Sequence, residues 1–139
     1  MSVIAMGADA DKIKEMLVVD ETQLAQEMLE RVRQHLGLTP KGQVYIRDPS
    51  RYRQRDLLLL YLAGTRYSSD AGLRSSEGSS LTEICENLGL DTRVAAARLT
   101  ELRNEGKVES PSRGEYQLVF PRLNAILNEI DEQGTSKSR

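Results

Sequence analysis

Apolar residues recur along this chain at two spacings, and the switches between them mark out its elements. Ile13, Met16 and Leu17 follow Asp9 and Asp11 at helical intervals, which predicts a first helix. Asp20 with Gln23 three residues on resembles a capping box. Leu24, Met28, Val32 and Leu36, with Leu29 alongside, then predict a second helix that Gly37 stops. Thr39-Pro40-Lys41-Gly42 is a turn cluster. Val44 and Ile46 alternate with Tyr45 in a short strand over 43–47, placed to join a later hairpin as a third strand. Asp48-Pro49-Ser50 ends that strand and is suited to capping the helix that follows. Between Arg51 and about Tyr67, the run Leu57-Leu58-Leu59-Leu60-Tyr61-Leu62-Ala63 is apolar on every side, as a central helix buried from several directions must be.

The second half changes pattern more often. Ser68 to Ser79 is polar and Gly-rich and reads as a loop. Ser80-Leu81-Thr82-Glu83 is a capping box opening a helix through Leu88, with Leu81, Ile84, Cys85 and Leu88 as its inward stripe. Gly89-Leu90 makes a turn, because glycine suits the position just past a helix end. Asp91 caps a helix from Thr92 to Glu105, and Gly106 closes it. Lys107-Val108-Glu109 predicts a strand, Ser110 to Gly114 a turn, and Glu115 to Phe120 the returning strand. Pro121 suits the first turn of a final helix, whose stripe is Leu123, Ile126, Leu127 and Ile130. Gly134 to Arg139 is expected to fray. The fold class is therefore mainly α with a small antiparallel β-sheet (α+β), with no internal repeat.

A short capped helix, a glycine turn, a second helix and a hairpin thus follow within about forty residues. The spacing Leu99-x-x-Leu102-x-x-x-Gly106-Lys107-Val108 resembles the recognition helix and first wing strand of winged helix-turn-helix regulators of the ArsR and MarR type. The resemblance covers Arg51 to Phe120, about half the chain. It implies a winged helix-turn-helix over 43–120, an N-terminal helical extension over 1–42, and a C-terminal helix with a frayed tail over 121–139. It also implies double-stranded DNA as partner, a role in transcription regulation, and a homodimer through the terminal helices to match a two-fold operator; the amphipathic terminal helices are equally suited to folding back and completing one core.

A helical wheel gives the face such a helix would offer. At about 100° per residue, Ala95, Leu99 and Leu102 turn to the core, while Arg93, Ala97, Thr100 and Asn104 lie opposite, flanked by Ala96 and Glu101. Because the N-terminal half of a recognition helix enters the major groove, the candidate DNA-binding residues are Thr92, Arg93, Ala96, Ala97, Thr100, Arg103 and Asn104, with Arg113 at the wing tip. An arginine there suits guanine O6 and N7 or a phosphate. Small alanines allow close backbone approach. Arg51, Arg53 and Arg55 at the start of the central helix would add salt-sensitive phosphate attraction.

Charge both helps and opposes this reading. The formal net charge is −2, but residues 41–80 carry seven basic and four acidic residues, so the basic surface is local. Glu101 and Glu105 would repel phosphates, and Asp48 and Asp56 lie beside the arginine cluster. Arg93 and Arg113 also fit ordinary solvated positions, and Ala95-Ala96-Ala97 fits simple helix propensity or packing against another protein helix. A winged-helix protein-interaction module without DNA binding is the alternative.

Catalytic chemistry is sparse, so no enzyme activity is expected. His35 is the only histidine; it ends a helix, where a cation suits the dipole, and no partner stands at a useful spacing. Cys85 is the only cysteine and falls in an apolar stripe, so it reads as a core residue. One Cys and one His do not build a structural zinc site, and no phosphate-cradling glycine motif is present, so no metal or cofactor is expected. The chain shows no signal-peptide pattern and no apolar run of membrane-spanning length, which makes a cytoplasmic location the expectation.

Overall fold

A computed structural model describes residues 2–137, with side chains characterised over 9–133. Among the described residues, six α-helices and five short strands follow one another. In chain order they are α1 (Ser2–Leu17), α2 (Glu21–Arg33), β1 (Leu36–Leu38), β2 (Val44–Ile46), α3 (Gln54–Asp70), β3 (Ser79–Ser80), α4 (Leu81–Leu88), α5 (Thr92–Asn104), β4 (Val108–Glu109), β5 (Glu115–Leu118) and α6 (Leu123–Lys137). The mainly helical class with small antiparallel sheets is as the pattern predicts.

α3 is the axis of the molecule. Its apolar run is buried from Leu57 to Ala63, and Asp56, Thr65 and Ser68 are buried with it. Each polar member is satisfied, as burial demands. The Asp56 carboxylate accepts two hydrogen bonds from the Arg53 guanidinium at 2.9 and 3.1 Å. Thr65 Oγ1 donates to the Leu62 and Glu77 carbonyls at 2.9 and 2.8 Å, and Ser68 Oγ donates to the Gly42 carbonyl at 2.7 Å. These bonds tie the flanking loops to the central helix.

The sheets are two. β1 and β2 form a hairpin with Leu36 opposite Ile46 and Leu38 opposite Val44. The other sheet runs in the order β3-β5-β4, with Ser79 opposite Tyr116 and Val108 opposite Leu118. The expected second helix therefore ends earlier than its stripe suggested: α2 stops at Arg33, and Leu36-Gly37-Leu38 is a strand. Gly37 is no helix stop but the place where the Tyr45 side chain lies across the ladder, 2.3 Å from where a Cβ would be. In consequence β2 pairs with β1 and not with the β4–β5 hairpin; the third strand there is β3, inside the segment expected to be a loop. That loop is shorter at its start too, because α3 continues to Asp70. The chain before α3 makes a single 3-10 turn over Pro49–Arg51. The returning strand β5 ends at Leu118, and Phe120–Arg122 forms a 3-10 turn that leads into α6. α6 runs to Lys137, so the tail stays helical past Gly134; residues 138–139 lie outside the described ones.

One apolar core unites α2, α3, α4, α5, α6 and strands β1, β2, β4 and β5. Leu123, Ile126, Leu127 and Ile130 of α6 are all buried, and Ala25 and Val32 bring α2 in. α1 is different. Every residue from 9 to 20 is exposed, including Ile13, Met16, Leu17, Val18 and Val19.

Candidate nucleic-acid interface

α4, its turn and α5 are shaped by local chemistry. Ser80 Oγ accepts from the Glu83 amide at 3.1 Å and starts α4. Gly89 ends it with φ +66°, the left-handed conformation that glycine adopts without a Cβ clash. Asp91 Oδ1 then accepts from the Arg93 and Val94 amides at 2.9 and 3.2 Å and opens α5. Ile84 and Cys85 seat α4, and Ala95, Leu99 and Leu102, all fully buried, seat α5. Cys85 is thus the core residue its stripe implied.

The opposite side of α5 faces solvent. Thr92, Arg93, Ala97, Thr100, Arg103 and Asn104 are exposed, and Ala96 is half-buried. Thr100 Oγ1 donates to the Ala96 carbonyl at 3.0 Å, so its proton is spent inside the helix and only its lone pairs are offered outward. Beyond α5, β4 and β5 are joined by a turn in which Ser110 Oγ bonds the Ser112 and Glu115 carbonyls at 2.8 and 2.7 Å. Arg113 is exposed at its tip, beside Gly114 at φ +81°. Seven of the eight candidate residues therefore share one helix and the eighth crowns the hairpin after it. Among the described residues, no ion pair engages Arg93, Arg103 or Arg113.

The two carboxylates that oppose a phosphate partner are occupied elsewhere. Glu101 accepts from Arg98 Nη1 at 3.1 Å along the same helix. Glu105 receives Arg55 through both terminal nitrogens, at 2.8 and 2.5 Å, and Lys107 Nζ at 2.9 Å. The Arg55 hydrogen bonds, against the opposing effect of burial and helped by Lys107, hold the Glu105 carboxyl down to about 2. Lys107 also reaches Glu129 on α6, which Arg55 and Arg53 approach at 3.4 and 3.6 Å. At about 100° per residue, Glu101 and Glu105 fall on one flank of α5, whereas Thr92, Ala96 and Arg103 fall on the other.

The same network corrects the role expected of the arginine cluster. Arg53 is spent on Asp56 and Arg55 on Glu105 and Glu129, so neither is a free phosphate ligand. Arg51 lies with its guanidinium 5.6 Å from the Tyr52 ring centre. No local signal in the sequence marks this network, because Arg55 and Glu105 stand 50 residues apart.

His35 departs from the sequence reading as well. It is buried, with Nδ1 2.7 Å from Tyr52 Oη and Nε2 2.9 Å from Asp131 Oδ1. Arg31 joins the cluster, donating to Asp131 at 2.9 Å and to Asn124 and Asn128 at 2.8 and 2.9 Å. Partners 17 and 96 residues away were invisible to spacing. The arrangement pins the end of α2 to α6. Among the described residues, no group of three or more His, Cys, Asp or Glu side chains is placed to hold a metal ion, and no helix is long and apolar enough to cross a membrane.

No protein-family model matches the chain. No solved structure matches it. Among curated proteins, one called Protein PXR1, of Meyerozyma guilliermondii, is 28% identical over 104 residues. The match covers 73% of this chain and 35% of that protein, so the chain spans about a third of its length.

Proposed function

We propose that this chain is a winged helix-turn-helix DNA-binding protein that regulates transcription. α5 enters the major groove and the β4–β5 hairpin lies on the backbone as the wing. The order helix, strand, helix, helix, hairpin from α3 to β5 supports the reading. The observation that carries it is the solvent face of α5: Arg93, Ala97, Thr100 and Asn104 stand opposite a fully buried seat, and its two nearby carboxylates are already neutralised. In this reading Arg93 takes a guanine edge or phosphate, Ala96 and Ala97 let the backbone approach, Thr100 and Asn104 bond base edges or phosphates, and Thr92, Arg103 and Arg113 contact the strands on either side. The protein acts as a homodimer, and α1 supplies the dimer contact, because α6 has spent its apolar stripe on the core of its own chain.

Fluorescence anisotropy of a random-sequence duplex, at low and near-physiological salt, tests the proposal. Binding is expected, and it weakens steeply as salt rises because phosphate contacts release counterions. The double variant Arg93→Ala, Arg113→Ala loses about 1–3 kcal/mol of binding free energy per contact removed. Equal affinity in the double variant overturns the assigned surface. A protein-interaction module is the second reading. It draws on the local pairing of Arg53 and Arg55, which lowers phosphate attraction, and on a chain of net charge −2. Absence of DNA binding even at low salt selects it.

A further inference from the structure

A second polar site lies away from the exposed face of α5. An open cleft of about 500 Å³ sits where the β1–β2 turn, the middle of α3, the segment after α3 and one side of α4 meet. Its volume lies in the range of small-molecule pockets. Two cations line it, Lys41 and Arg74, against one carboxylate, Glu83. Burial pushes the Glu83 carboxyl up, but the Ser79 hydroxyl and the Arg74 guanidinium outweigh it and keep the group below its ordinary value. The carboxylate therefore stays ionised and bound to its own partners.

Arg74 is held as a fixed donor. Its Nε donates to the Ser76 carbonyl at 2.8 Å, and its Nη2 donates to the Gly78 carbonyl and to Glu83 at 2.7 and 3.0 Å. Its Nη1 has no hydrogen-bond partner among the described residues, although the side chain is only 19% exposed. Lys41 makes no ion pair among the described residues. Beside them a chain of side-chain amides ends on a hydroxyl: Gln43 Nε2 donates to Asn87 Oδ1 at 2.7 Å, and Asn87 Nδ2 donates to Tyr61 Oη at 3.1 Å. The cleft thus offers an immobilised guanidinium with unused protons, an exposed ammonium and neutral polar groups.

We infer that this cleft binds a small-molecule anion, with a phosphate or carboxylate end on Lys41 and Arg74 Nη1 and a polar body along Gln43 and Asn87. Charge-assisted donors of this kind are the strong ones. The inference stands whether or not α5 reads DNA.

The test uses the full chain, isotope-labelled, titrated with sodium phosphate against sodium chloride of equal ionic strength and followed by amide NMR shifts; sodium acetate is a parallel arm. Saturable shifts confined to residues 41–43, 74–78 and the first turn of α4 are expected. Response to phosphate alone or acetate alone identifies which oxyanion the cations accept. Lys41→Glu, at an exposed position that the core does not use, weakens the response at least about tenfold with the rest of the spectrum unchanged. Shifts that rise linearly and scatter over the basic surface overturn the site, as does equal affinity in Lys41→Glu. A Lys41→Glu variant that loses DNA affinity, while neither anion binds the parent, also overturns it and assigns the cleft to the DNA backbone.

Discussion

Glu105 joins three parts of the molecule through one carboxylate. It sits at the end of α5 and takes Arg55 from α3 and Lys107 from just before β4. Its carboxyl ionises at about 2, below the ordinary 4.5, so the bridge stabilises the fold above the unfolded value and is lost as pH falls through the folded one. Glu105→Gln is therefore expected to be less stable at pH 7 by about 0.5–1 kcal/mol, a modest figure because the side chain is partly solvated. The deficit shrinks between pH 5 and pH 2 as the parent loses the same interaction. Urea unfolding across that range checks it, and a deficit independent of pH overturns the assignment. What was legible at this scale was local. Ser80, Gly89 and Asp91 act within three or four residues of themselves, so their roles could be read from the sequence. Arg53, Arg55 and His35 take their meaning from distant partners, and pairing turned the first two from prospective phosphate ligands into internal braces.

Elements were legible where one pattern excluded others. α5 has a stripe too long for a strand, a capping Asp91 before it and Gly106 beyond it, and its bounds matched within a residue. Leu36 fitted equally the stripe of α2 and the alternation of β1, and nothing local decided between them. Hairpin pairing with Val44-Tyr45-Ile46 decided it. β3 has two residues, both serine, and carries no apolar signal at all. Two glycines now separate the physics of this region. A Cβ at Gly64, on α3, would lie 2.5 and 2.7 Å from the two methyl carbons of buried Val44. Alanine there gains helix propensity of about 1 kcal/mol, but overpacking costs about 1–3 kcal/mol and wins. Gly64→Ala is thus expected to lower the thermal midpoint, and Val44→Ala in the same chain to recover part of the loss, a coupling that a double-mutant cycle measures. At Gly37 the obstacle is the outer end of the Tyr45 ring, which is 44% exposed and able to swing aside. Gly37→Ala is expected to cost less than Gly64→Ala under the same melt.

At the scale of the whole molecule, the two terminal helices divide their work. α6 completes the core, whereas α1 and the link after it hold Ile13, Met16, Leu17, Val18 and Val19 in solvent. In the homodimer proposed above, these exposed side chains form the contact between the two copies. On that proposal the parent is expected to sediment as a dimer and the double variant Ile13→Glu, Leu17→Glu as a monomer, with the melting of the remaining core unaltered. A parent that is monomeric at tens of micromolar removes α1 as the dimer contact. The amphipathic character of both helices was readable in advance; whether each faced its own chain was not, because that depends on the space left beside α3. The charge knot at Glu105 has a geometric corollary. It anchors α5 at its C-terminal end, while the N-terminal end follows the single left-handed turn at Gly89. A tilt that pivots on this anchored end moves the opposite tip most, and the packing of buried Ala95 and Leu99 opposes it. With a rise of about 1.5 Å per residue, a tilt of about 10° carries the Arg93 end roughly 3 Å and leaves Asn104 nearly still. Reach at the tip of this helix is set from its far end.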